Sequence, residues 1–120
     1  MSNYKRFEDL EIWKEGMEIC KEVYSLMKDC KDYGLKDQMQ RASVSIPSNI
    51  AEGYERNSLK EKQHFMYIAK GSCGELRTQL YLAVFFEYID SEKGNNLINR
   101  VAKLSIKVYN YIQYLENNKQ

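Results

Sequence analysis

Leu10, Trp13, Met17, Cys20, Tyr24 and Met27 follow one another at spacings of 3, 4, 3, 4 and 3. That rhythm belongs to one face of an α-helix, and three later stretches repeat it. Leu35, Met39, Ala42, Ile46 and Ile50 carry it on to Tyr54. Phe65, Ala69, Ser72, Leu76, Leu80 and Ala83 carry it towards Tyr88. Leu97, Val101, Leu104, Val108, Ile112 and Leu115 carry it to the end. No stretch alternates with the period of a strand, so the pattern predicts an all-α chain.

The spacing predicts helices over about 8–30, 35–56, 58–88 and 91–115. Tyr33-Gly34 reads as the stop of the first. Ser58, with Glu61 three residues on, reads as a capping box opening the third, and Asp90 or Ser91 as the cap of the fourth. Long helices joined by short turns form an antiparallel up-down-up-down four-helix bundle, and 120 residues make one domain, 1–120. The stripe of the second helix keeps its phase across Pro47, the single proline of the chain. One continuous helix kinked at Pro47 is therefore expected, although proline removes a donor there and crowds the carbonyl of Ser43.

Around the proline, residues 44–53 read VSIPSNIAEG, and the middle of the third helix reads GSCG over 71–74. If the chain folds back about Asn57, Ser45 and Ser48 lie level with about Ala69 and Met66, and Arg41 lies within a turn of Glu75. The two small-residue segments then read as halves of one close helix contact. Arg41, Ser45, Ser48 and Glu52 form a polar stripe beside it. Read as a subunit seam, the segment involves Arg41, Ser45, Pro47, Ser48, Glu52, Ser72 and Glu75, with Arg41 paired to Glu75 and Glu52 level with Lys62; the plainer reading is a solvated face. The first helix carries a second apolar stripe, Ile12, Ile19, Val23 and Leu26, beyond what one bundle seam needs. It is read as an oligomer surface.

Catalytic chemistry finds little to use. His64 is the only histidine, and Cys73 has no histidine near it in sequence to activate it. No phosphate-binding or dinucleotide glycine motif occurs. Glu52 and Glu75 lack the E-x-x-H companion that marks a metal site in a bundle. No catalytic residue, metal site, cofactor or small-molecule substrate is expected. Cysteines number three, without a C-x-x-C, which suits a reducing compartment. No apolar run approaches a membrane span and no signal-peptide core opens the chain, so the expected location is the cytoplasm.

Net charge is +1, which does not announce a nucleic-acid binder, but the charge is uneven. Residues 8–32 hold four lysines against eight acids, whereas residues 90–120 hold five basic groups against three acids. Arg100, Lys103 and Lys107 recur along one side of the last helix, followed by Tyr111 and Tyr114. Cations that grip phosphate beside rings that stack on bases are a nucleic-acid pattern, and a solvated helix face is the plainer reading.

At the level of whole motifs the chain resembles the 23S rRNA-intervening sequence proteins, also called four helix bundle proteins. Phe7, Leu10 and Trp13 fit an F-x-x-L-x-x-W start. Arg41, Ala42 and residues 44–53 fit R-A-x-V-S-I-P-S-N-I-A-E-G, and Arg56 and Ser58 fit the following R-x-S. Residues 65–80 fit F-x-x-I-A-x-G-S-x-x-E-L-x-T-Q-L. The resemblance implies a left-handed antiparallel four-helix bundle in a bacterial protein, a homo-oligomer in the form of a ring of five, and no established catalysis. It also suggests contact with RNA or DNA, by the gene setting of the family and by a distant relative that accompanies a reverse transcriptase. The alternative is a protein-binding scaffold with no nucleic-acid partner.

Overall fold

The computed structural model describes residues 6–118; Lys119, part of the basic count above, lies outside them. A 3-10 turn, Phe7–Asp9, precedes four helices: α1 Glu11–Leu26, α2 Tyr33–Glu55, α3 Leu59–Phe85 and α4 Ser91–Asn117. Among the described residues there is no strand. Each helix packs against the next and α4 returns to α1, while α1 and α3, like α2 and α4, do not meet. The four rods stand at the corners of a square, in a bundle about 50 Å long and 23 Å across.

Local chemistry sets the ends. Asp32, Ser58 and Asp90 each accept a hydrogen bond from a first-turn backbone N–H, of Leu35, Glu61 and Lys93, at 3.1, 3.1 and 2.9 Å. Ser58 and Asp90 match the sequence reading. Tyr33-Gly34 does not. These residues open α2 instead of stopping α1, because the Asp32 carboxylate caps them there and Gly34 needs no left-handed backbone. The first helix also starts later than the spacing suggests, since Leu10 turns extended (φ −74°, ψ 129°) and splits off Phe7–Asp9. Phe7 still reaches Trp13, edge to face at 5.4 Å. At the far end of α3, Tyr88 and Glu87 return their N–H groups to the carbonyls of Ala83 and Val84, both at 2.9 Å. That is a Schellman turn, with Glu87 in the left-handed position (φ 61°) usually held by glycine.

The core consists of the apolar stripes of α2, α3 and α4 as expected, but α1 presents a different face. Ile12, Gly16, Ile19 and Val23 point inward, while Met17 and Tyr24 are 45% and 44% exposed. Gly16 turns inward with its apolar neighbours. A methyl built on it would lie 3.5 Å from the Cβ of Pro47 and 3.4 Å from Ile46 Cγ2, ordinary contact distances, so the apolar side chains beside it set the face. Ile12, Ile19 and Val23 share that face. The oligomer surface read from the sequence is thus corrected: Ile12, Ile19 and Val23 are buried within one subunit, and Leu26 packs half-buried against the same core. α2 continues through Pro47 without interruption.

Candidate functional site

The proline segment meets two neighbours. Pro47 itself is buried against α1 at Gly16. Ser45 faces α3, and its Oγ lies 2.8 Å from Ser72 Oγ. Asn49 donates its amide to both the hydroxyl and the carbonyl of Ser45, at 2.9 and 2.8 Å. The expected contact between the two small-residue segments therefore exists, made by two serines one turn from the estimated level. The glycines play no part in it. Gly71 and Gly74 face outward, with nothing beyond their own stretch of helix within 4 Å of where a side chain would begin.

The charged half of the seam is arranged differently from the expectation. Arg41 bonds Asp37, four residues back on its own helix, at 2.8 Å and not Glu75. Glu52 bonds Arg56, again four residues away, and not Lys62, which donates to the Tyr54 carbonyl at 2.8 Å. The Arg41–Glu75 pairing is thus corrected, while Glu52 and Lys62 were expected only to lie level; both arginines find a carboxylate on their own helix turn without bridging two rods. Arg41, Ser45, Glu75 and Gln79 do meet around a hollow of about 450 Å³ between α2 and α3. Ser48 is exposed beside it.

The basic face of α4 is assembled in part. Lys103 and Lys107 are exposed. Arg100 is half-buried and reaches Glu15 of α1 at 3.7 Å, so much of its charge is answered inside the subunit. Glu11 likewise borders a hollow of about 360 Å³ that holds Lys107, Asn110 and Tyr111. These acids belong to α1, so the spacing within α4 carries no sign of them. Tyr111 and Tyr114 stack, with centroids 6.0 Å apart and planes 27° from parallel. Tyr54 and Leu10 close a second hollow of about 370 Å³ against the same pair. Burial, then Tyr54 and Tyr114, push the Tyr111 hydroxyl up to about 12, so it remains a neutral phenol.

The remaining reactive side chains sit apart. Cys73 is buried, and that burial pushes its thiol up to about 12, which removes the thiolate at neutral pH. His64 is exposed and lies edge to face with Phe65, at 5.1 Å. Among the described residues no cluster of three or more His, Cys, Asp and Glu could hold a metal. At the opposite end, Asp29, Cys30, Asp32, Tyr88 and Lys93 border a hollow of about 840 Å³. There Tyr88 donates to Asp32 at 3.0 Å and ties the α1–α2 turn to the end of α3. No helix among the described residues is long and apolar enough to cross a membrane.

A family model described as 23S rRNA-intervening sequence protein matches residues 8–114. A crystal structure of a protein with unknown function from the S23 ribosomal protein family of Bacteroides thetaiotaomicron superposes with a TM-score of 0.79 at 21% identity. It covers 84% of this chain and 97% of its own. No curated protein matches the sequence.

Proposed function

The chain belongs to the 23S rRNA-intervening sequence protein family, and from that premise we propose a non-catalytic, self-associating bundle that holds structured RNA or DNA on the end of α4. One observation carries the reading. Exposed Lys107 stands beside a stacked pair of tyrosines, of which Tyr111 packs on the core with one side and both border a hollow. Lys103 extends the positive surface by one turn, and Tyr114, 58% exposed, offers a ring face for a base. The proposed form is the ring of five that the family resemblance implies, in a reducing, cytoplasmic compartment. Repeating two lysines around such a ring gives avidity to a patch that is weak on one subunit.

A second reading, a protein-binding scaffold without nucleic acid, is favoured by the exposed apolar side chains of α3, Phe85 at 78% foremost. Titration of a fluorescent RNA hairpin and its DNA counterpart separates the two. Two phosphate contacts per subunit lose about tenfold in affinity between roughly 50 and 200 mM salt. Lys103→Glu with Lys107→Glu abolishes that binding, and Tyr114→Ala weakens it. No binding to either hairpin at about 50 mM salt overturns the nucleic-acid reading, and binding that survives the lysine reversal intact overturns this patch as its site.

A further inference from the structure

The outward face of α3 is built against solvent in a way a lone subunit does not need. Tyr67, Gly71, Gly74, Thr78, Tyr81 and Phe85 follow at spacings of 4, 3, 4, 3 and 4, and all are exposed. The stripe runs roughly 27 Å at 1.5 Å per residue. A helix that is apolar on its outer side as well as its inner side is ordinarily covered on both. Its centre is two glycines, poorer helix formers than any residue but proline, with open space above them. Glycine is expected there where another backbone comes close.

A separate observation points to what covers it. Gln79 is only 7% exposed, yet its Oε1 has no hydrogen-bond partner. It lines the α2–α3 hollow together with Glu75, one turn away along α3, which forms no ion pair with another described residue. Arg41 shares the hollow but is engaged with Asp37, so among the described residues neither group is answered from α2. The site asks for a cation carried on an apolar surface.

This chain carries such a surface. On the outer side of α1, Lys14, Met17, Lys21 and Tyr24 follow at spacings of 3, 4 and 3, all exposed and neither lysine in an ion pair with a described residue. The α1 acids, Glu11, Glu15, Glu18 and Glu22, form their own stripe on the side that turns to α4, where Glu15 meets Arg100. We infer that the α3 face around Gly71 and Gly74 seats the α1 stripe of a second copy, with a lysine of that copy directed to Glu75 and Gln79. Because α1 and α3 occupy opposite corners of the bundle, each copy offers one face and receives at the other. Such a head-to-tail contact closes into a ring or runs on as a filament. The inference rests on the self-association proposed above and names its seam.

Light scattering on size-exclusion fractions, with helicity checked by circular dichroism, tests it. Glu75→Lys and the double change Lys14→Glu with Lys21→Glu lie on exposed positions and keep the fold. Each weakens self-association at least about tenfold by placing like charges together. Mixed one to one, the two variants associate again into pairs and short chains, since every seam between unlike variants joins opposite charges, whereas a ring of five, which cannot alternate, does not close. Gly71→Leu with Gly74→Leu also gives folded monomer, by bulk instead of charge. Assemblies that persist in all these variants overturn the seam, and monomers that fail to recombine overturn the pairing of α3 with α1. A wild-type chain that is monomeric at every concentration overturns the self-association itself.

Discussion

Gly16 of α1 lies against Pro47 of α2, close enough that a methyl group on the glycine would be in ordinary contact with the proline ring at 3.5 Å. Gly94 of α4 is in a different position. A methyl there would stand only 2.4 Å from Val84 Cγ2 and 3.1 Å from Ile89 Cδ1. Both glycines are buried in helix interiors, so propensity alone favours replacing either with alanine by about 1 kcal/mol. Packing separates them. Gly16→Ala is expected to be neutral or to stabilise by up to about 1 kcal/mol, whereas Gly94→Ala is expected to destabilise by about 1–3 kcal/mol through overpacking. Urea unfolding of the two variants, with unchanged slope, reads the difference. Equal effects would mean that Gly16 and Gly94 occupy equivalent spaces.

The hydroxyls of Ser45 and Ser72, 2.8 Å apart, support an asymmetric prediction. Ser72 is 7% exposed and Ser45 is its hydrogen-bond partner across the seam. Ser45 also receives the Asn49 amide at 2.9 Å. Ser45→Ala therefore strands a buried hydroxyl and is expected to cost about 1–3 kcal/mol, whereas Ser72→Ala leaves Ser45 partnered and is expected to cost about 1 kcal/mol. The double variant is expected to cost less than the sum, because the second change removes a group already stranded. Additive losses in thermal or urea unfolding would show that the two hydroxyls do not depend on one another.

These two contacts also show what could be read from the residues alone. The stripes of α2, α3 and α4, and the caps Ser58 and Asp90, follow from spacing and from side-chain oxygens placed just before an apolar run; such signals are local. The fold-back about Asn57 placed Ser45 level with residue 69, one turn from its actual neighbour, Ser72. The orientation of α1 was hidden because Gly16 counts as neither apolar nor polar. Included in the count, Ile12, Gly16, Ile19, Val23 and Met27 run at 4, 3, 4 and 4, and all five are buried. Gly71 and Gly74 invite the reverse error, since small residues suggest a close internal contact and these two face outward. For Arg41 and Glu75 the level was right and the pairing was not. Proximity across rods does not choose between rotamers when Asp37 lies one turn away on the same helix.

Cys73 makes alkaline pH a probe of the core. Burial raises its thiol from 9.0 to about 12, so in the folded chain it holds its proton where the unfolded chain has lost it. The sign follows from linkage. Below pH 9 both states are protonated and the group adds no pH dependence. Between about 9 and 12 the unfolded state alone releases a proton, so stability falls as pH rises through that window. Tyr111 moves in the same direction, from 10.0 to about 12, and is more exposed, so its share is smaller. Cys73→Ala removes the thiol and is expected to flatten the decline between pH 9 and 12 while lowering stability at pH 7 by leaving a small cavity. Urea midpoints measured at intervals across that range decide it. A decline of the same steepness in Cys73→Ala would assign the alkaline loss to other groups and leave the buried thiol with a packing role alone.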